Sequence, residues 1–360
     1  MTCHAVALLD VLDVLDKQER QPGAATMQAR KLGWTTIDVS PLGLGCWALG
    51  GPTQFRGNQF GWGQIDEGEA IRAIHVALDA GITFFDTADI YGTGHSERIL
   101  GQALASQRDR VLLATKFGLT FDEYTGAMTG RDASPAYIRR ACEASLRRLR
   151  TDYIDLYQFH SGEYDPANVG PILDALDGLV AEGKIRYYAW GAEPAGAKLF
   201  VERGHTPAVQ FGLNMFTMSM ADAADMLAFC DAHDLAAIIN GPLGRGVLTG
   251  KFSENTRFAV GDLRQQRGWN LQDGLQAKGR QVVEQLRDIL TSDGRTLAQA
   301  ALGALWARSE RIIPIPGFKT VAQVRENAGA LQYGPLSPHQ MQAIADLVSS
   351  SLTEDQAQSF

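Results

Sequence analysis

Cysteine is scarce: the 360 residues hold four, Cys3, Cys46, Cys142 and Cys230, with no C-x-x-C pair and no cysteine–histidine ligand spacing. That excludes a disulfide scaffold, leaves zinc without a home, and predicts reduced thiols in a cytoplasmic protein without a metal. Long apolar runs are missing too. No stretch approaches the roughly 18 uninterrupted apolar residues of a membrane span, so no membrane partner is expected. The apolar N-terminus is broken by Asp10, Asp13 and Asp16 with no basic residues ahead of it, unlike a signal peptide. Positive charge is in deficit, 33 Lys and Arg against 41 Asp and Glu for a net charge of −8, which argues against a nucleic-acid partner.

Apolar residues, at 45%, are ample for a sizeable core. Residues 1–29 read as an N-terminal extension, helical or unstructured, and residues 351–360 as a C-terminal tail. Between them, residues 30–350 carry one repeated rhythm. Short apolar runs fall at 42–47, 82–87, 111–116, 153–160, 185–191, 208–214, 235–241 and 311–317. Most are apolar on successive residues, as expected of strands covered on both faces of a parallel sheet. Helical patterns lie between them, at 69–80, from Ser134 and Pro135 onward, and at 168–181, 221–233 and 296–308. Eight strand–helix repeats close into a (β/α)₈ barrel, an α/β TIM barrel. Residues 31–40 read as a β-hairpin plugging its bottom. The segments 52–66, 119–133 and 252–275 read as extended mouth loops. Gly43, Gly45 and Ala48 fit G-x-G-x-x-A, a dinucleotide fingerprint, but that motif must open a helix at once, and Gly50, Gly51 and Pro52 forbid one. The run is therefore taken as the first barrel strand.

Active sites of such barrels lie at the C-terminal ends of the strands. There stand Asp86, Lys116 and His160, with Tyr91 five residues after Asp86. Each has a bland reading: a cap for Asp86, a solvated strand end for Lys116, a hydrogen-bonded core histidine for His160, a helix roof for Tyr91. Together they make an acid–base set. An ammonium lowers the pKa of a neighbouring phenol, a carboxylate keeps the ammonium charged and placed, and an imidazole can orient a carbonyl oxygen. With no nucleophile–base pair at matching positions, carbonyl reduction fits better than acyl transfer.

The runs at 41–51, 77–104, 112–118, 145–160, 241–252 and 312–331, including D-T-A-x-x-Y-G and L-Y-Q-x-H, resemble the aldo/keto reductases. The resemblance implies a tetrad of Asp86, Tyr91, Lys116 and His160, with Tyr91 as general acid, and NADPH as hydride donor, NADH being the alternative. It places the cofactor on Cys46, Trp47, Asp86 and Gln210. Gly241, Pro242, Leu243, Gly244 and Arg245 then form the pyrophosphate loop, with Lys251 and Arg264 nearby. Gly317, Lys319, Gln323, Glu326 and Asn327 fall at the adenosine end, Lys319 being the expected contact for a 2′-phosphate. Trp47, Trp62 and Trp269 fall around a substrate pocket for a small carbonyl compound, each with core or hairpin packing as its alternative. The chain departs from the family pattern at Gly191, Ala192 and Leu213, near where the nicotinamide would lie. Two other readings share these residues: an NAD(P)-dependent sugar or alcohol dehydrogenase running in reverse, and a nucleotide-sensing subunit with little turnover. Substrate and oligomeric state are not encoded in any pattern found here.

Overall fold

In the computed structural model, residues 27–55, 57–161, 164–190 and 194–360 are described. The expectations for residues 1–26 and for Gly191 and Ala192 fall outside them. Eight strands follow the predicted runs: β1 (Gly43–Gly45), β2 (Phe84–Asp86), β3 (Leu112–Phe117), β4 (Ile154–Phe159), β5 (Ile185–Trp190), β6 (Ala208–Gly212), β7 (Ala236–Asn240) and β8 (Ile312–Pro314). β1 to β5 pair in chain order and in parallel, as do β6 to β8. Gly45 bridges Gly317 and its N–H donates to the Pro316 carbonyl at 3.1 Å, joining the last strand to the first. Between β5 and β6 the Tyr188 N–H reaches the His205 carbonyl at 3.1 Å.

Period-two alternation sorts the side chains into two cores. Phe84, Leu112, Ala114, Leu156, Ala189, Ala208, Ala236, Ile238, Ile313 and Ile315 point inward and fill the lumen. Their neighbours, among them Phe85, Leu113, Tyr157, Val209 and Ile239, point outward and pack under the helices. The N-terminal hairpin pairs Arg30–Lys31 with Asp38–Val39, and its Leu32 and Val39 belong to the lumen cluster, so it closes the floor.

The helices are α1 (Glu67–Asp79), α2 (His95–Leu104), α3 (Pro135–Leu149), α4 (Gly170–Ala181), α5 (Pro194–Val201), α6 (Ala221–Ala232), α7 (Gly274–Leu290), α8 (Leu297–Trp306), α9 (Val321–Tyr333) and α10 (Pro338–Ser351). Local chemistry sets their starts. Asp66 accepts from the Glu69 N–H at 2.9 Å, Ser134 caps α3 with Pro135 at its first position, and Thr296 and Gln299 form a capping box on α8. After β1 the chain makes only one 3₁₀ turn, Trp47–Gly50, before Gly51 and Pro52, so the glycine fingerprint opens no α-helix.

Two regions carry more structure than their sequence suggests. Thr53–Phe55, Asn58–Phe60, Leu119–Asp122 and Ala127–Arg131 form a four-stranded sheet at the mouth, joined between the two hairpins at Gln54 and Ala127. The segment 252–275 is tied to it, the Leu263 N–H donating to the Gly61 carbonyl at 2.8 Å. The last ten residues contain a short capped helix, Glu354–Gln358, and end in a buried Phe360 that packs on Phe216 and Gly279.

Candidate active site

The alternation that fills the lumen also builds its upper layer. Above Phe84 the next inward residue is Asp86; above Ala114 it is Lys116; above Leu156 come Gln158 and His160; above Ala208 comes Gln210. Three neighbouring strands, β2 to β4, and β6 beyond β5 thus deliver a carboxylate, an ammonium, two amides and an imidazole to the upper end of the lumen.

Asp86, 2% exposed, is the hub. Its Oδ1 accepts from Lys116 Nζ, and its Oδ2 accepts from Gln158 Nε2 at 2.7 Å and Gln210 Nε2 at 2.8 Å. Lys116 Nζ also donates to the Thr87 carbonyl at 2.8 Å and lies 5.4 Å from the centre of the Tyr91 ring. Burial works against the charge on Lys116, but Asp86 and Tyr91 outweigh it and hold its pKa above the ordinary value. Gln158 has no role in the sequence reading. Its signal was there: it stands two residues before His160 on the same face of β4.

Tyr91 sits in the turn after β2, and two glycines place it. A Cβ on Gly50 would stand 2.5 Å from the Tyr91 carbonyl carbon, and one on Gly92 would stand 1.9 Å from the Gly50 oxygen. Gly92 also has φ +61°, a conformation that disfavours any side chain. The Tyr91 ring stacks on Trp47 (centroids 5.7 Å apart) and meets the His160 ring edge-on at 6.0 Å. Lys116 pulls the phenol pKa down as expected, but burial is the larger influence, and with Asp86 it leaves Tyr91 above its ordinary value. The sequence argument considered the ammonium without desolvation. The result is a phenol that keeps its proton at neutral pH.

His160 is neutral. Burial first, then the charges of Lys116 and Arg131, lower its pKa to about 3. Its Nδ1 is buried without a hydrogen-bond partner among the described residues. A histidine with an ordinary pKa near 6.5 when unfolded and about 3 when folded binds its proton preferentially in the unfolded state between those values. Its contribution to stability therefore falls as pH drops below 6.5 and is constant above it. The expected NMR titration of the His160 ring shows no step between pH 5 and 8; a step near 6.5 contradicts the assignment.

The expected cofactor residues divide. Trp47 lies beside Tyr91, and Trp62 packs edge-on against Trp47 at 5.3 Å, so these two wall one side of the mouth. Trp269 belongs instead to the folded 252–275 segment, its ring against Phe258 and its N–H on the Arg264 carbonyl at 2.9 Å. Cys46 is fully buried; its N–H donates to the Asp86 carbonyl, its carbonyl accepts from Ser96, and burial first pushes its thiol pKa well up. No group of Cys46 is left to offer a ligand. Leu213, 1% exposed, is part of the outer core.

Beyond β7, the turn from Gly241 carries φ above +50° at Gly241, Gly244, Arg245 and Gly246 and contains Pro242 and Leu243, a tight backbone curl. The Arg245 guanidinium is committed to the Ser359 carbonyl at 2.8 Å. Lys251, Arg264 and Lys319 share one neighbourhood. Burial lowers the pKa of Lys251 and Lys319, and the Arg264 charge lowers both further; Glu326 opposes this at Lys251 and Asp262 at Lys319. Lys319 Nζ donates to the Trp62 carbonyl at 2.9 Å, and Arg264 pairs with Asp262 at 2.7 Å. Near Gly317, the start of α9 is already capped: Val321 N–H by Glu69 at 2.9 Å, Gln323 N–H by Thr320, and Lys319 N–H by the Gln323 side chain. These N–H groups at the start of α9 are therefore already satisfied by side chains. Asn327 is 3% exposed and its Nδ2 has no partner among the described residues.

The sequence model of the aldo/keto reductase family matches residues 41–349. The chain belongs to that family. It is 31% identical over 318 residues to the aldo-keto reductase yakc [NADP(+)] of Schizosaccharomyces pombe, covering 85% of this chain and 87% of that protein. Among solved structures it resembles the glycerol dehydrogenase AKR11B4 from Gluconobacter oxydans (TM-score 0.74, 31% identity, 90% of this chain and 96% of that one). It also resembles an aldo/keto reductase from Klebsiella pneumoniae in complex with NADP and acetate (TM-score 0.62, 26% identity, 86% and 92%). As a member of the family the protein is an NAD(P)H-dependent oxidoreductase on a (β/α)₈ barrel.

Proposed function

We propose that this reductase uses NADPH to reduce an aldehyde or ketone to an alcohol, with Tyr91 giving the proton to the carbonyl oxygen. One observation carries the reading: a protonated phenol whose ring centre lies 5.4 Å from a buried ammonium that is itself fixed by Asp86. The cofactor supplies the hydride. The residues present suit such a group, because Lys251, Arg264 and Lys319 concentrate positive charge with only Asp262 and Glu326 opposing, and the buried Asn327 amide lacks a partner. Lys319 would hold a 2′-phosphate and the Gly241–Arg245 curl the pyrophosphate, while Gln210, its amide nitrogen already on Asp86, keeps its carbonyl oxygen for a carboxamide.

In this mechanism the neutral His160 ring and the Tyr91 hydroxyl receive the substrate oxygen. As negative charge builds there, the phenol proton moves to it. The phenolate left behind is stabilised by Lys116, whose charge is held by Asp86, which in turn takes hydrogen bonds from Gln158 and Gln210. Trp47 and Trp62 cover the opening and limit water. A fluorescence titration tests the nucleotide preference. Lys319→Ala should weaken NADPH binding about 10- to 100-fold, the value of one charge-assisted contact to phosphate, and change NADH binding by less than about twofold. Equal loss for both nucleotides would remove Lys319 from the 2′-phosphate.

A further inference from the structure

A second concentration of positive charge lies outside the mouth, in a groove between α2 and α3 of about 500 Å³. Arg98, Arg147, Arg148 and Arg150 line it, with Glu67 and Glu123. Both carboxylates are engaged: Glu67 with His95 at 2.9 Å, Glu123 with Arg148 at 2.8 Å. Arg148 is further held by the buried Glu97 at 2.6 Å. The other three arginines are not neutralised. Arg98 has only the Thr93 carbonyl at 3.4 Å, and among the described residues Arg147 and Arg150 have no side-chain hydrogen bond or ion pair.

Attraction to the carbonyl end of α3 accounts for Arg147 and Arg148. Arg150, the residue that ends α3, shares that attraction; Arg98 does not. Arg98 is the fourth residue of α2, where the helix dipole repels a cation. It also crowds another guanidinium: a Cβ on Gly94 would stand 2.7 Å from Arg148 Nε and 3.1 Å from an Arg98 Nη. Arg150 holds φ +54° at the end of α3, where glycine is favoured. Three exposed guanidiniums without a carboxylate partner among the described residues thus face one groove, one of them against a helix dipole, an arrangement that an anion would bridge.

We propose that the α2–α3 groove binds a small phosphate-bearing anion through Arg98, Arg147 and Arg150. Guanidinium forks match phosphate oxygens two at a time, and three of them suit a ligand with more than one negative charge better than a single carboxylate. The volume of the half-open groove admits a compact molecule. None of the lining residues belongs to the cofactor's set of cations.

Isothermal titration calorimetry with inorganic pyrophosphate, on full-length protein saturated with NADP⁺ so that the cofactor's own phosphate sites are filled, tests this. Wild type should bind one pyrophosphate. Arg98→Ala and Arg147→Ala, both exposed positions whose folding is checked by circular dichroism, should each weaken binding about tenfold or more, the loss of one charge-assisted contact. Three results would overturn the proposal: no heat in wild type, heat abolished by NADP⁺ because the probe sat in the cofactor site, or heat unchanged in both variants.

Discussion

Tyr91→Phe should lower kcat by about 10²- to 10⁴-fold, the range for removing a positioned general acid, while NADPH affinity changes by less than about twofold. The substitution deletes one oxygen and keeps the ring that stacks on Trp47, so the wall of the mouth survives. It leaves the contacts of the Lys116 ammonium with Asp86 and the Thr87 carbonyl in place. The loss should therefore appear in turnover and not in cofactor binding or in the unfolding midpoint. Rapid-mixing kinetics with NADPH in excess separates these quantities. A variant with undiminished kcat would show that the proton comes from elsewhere.

Asp86→Ala should be the most damaging change to the site's stability, costing about 3–5 kcal/mol, because it strands a buried cation. Lys116 is 4% exposed, and Asp86 is its one ion-pair partner among the described residues. Gln158 and Gln210 lose their shared acceptor in the same stroke, and Gln158 Oε1 already lacks a partner. Replacing both charges, as Asp86→Ala with Lys116→Met, should recover part of that cost, since no unpaired charge is then buried. Denaturant unfolding of the two single variants and the double variant gives the coupling. Strict additivity would mean that the pair is not a unit.

The barrel was legible because its strands are covered on both faces and so read as near-continuous apolar runs, and because helical patterns lie between them, some with a cap written in the sequence, as at Ser134 with Pro135. The floor hairpin at 31–40 was legible as a segment standing outside the repeat, ahead of the first apolar run. The mouth sheet was not. Its strands are short, polar and half-exposed, so they carry neither an apolar run nor a clear alternation, and pairing between residues as far apart as Gln54 and Ala127 leaves no local trace. Nor was the docking of Phe360, which depends on the missing side chain of Gly279.

In the site, residue types and strand positions were legible and their electrostatics only in part. Lys116 does favour the Tyr91 phenolate, yet desolvation, which a sequence does not display, decides the direction. The same holds for His160, driven to the neutral form by burial before any charge acts. The full burial of Cys46, beside a Trp47 that stacks on Tyr91, is likewise not displayed by the sequence. Gln158 was read only as part of a motif; its role as a donor to Asp86 needed the register of β4 against β3.

The central claim is best tested by mixing the wild-type protein with NADPH and a panel of aldehydes and ketones, following nucleotide absorbance and identifying the product by mass spectrometry. The account predicts that NADPH is consumed with at least one carbonyl compound and an equal amount of its alcohol is formed. Tight NADPH binding with no consumption across the panel would contradict it, and would mark the barrel as a nucleotide sensor whose tetrad does not turn over.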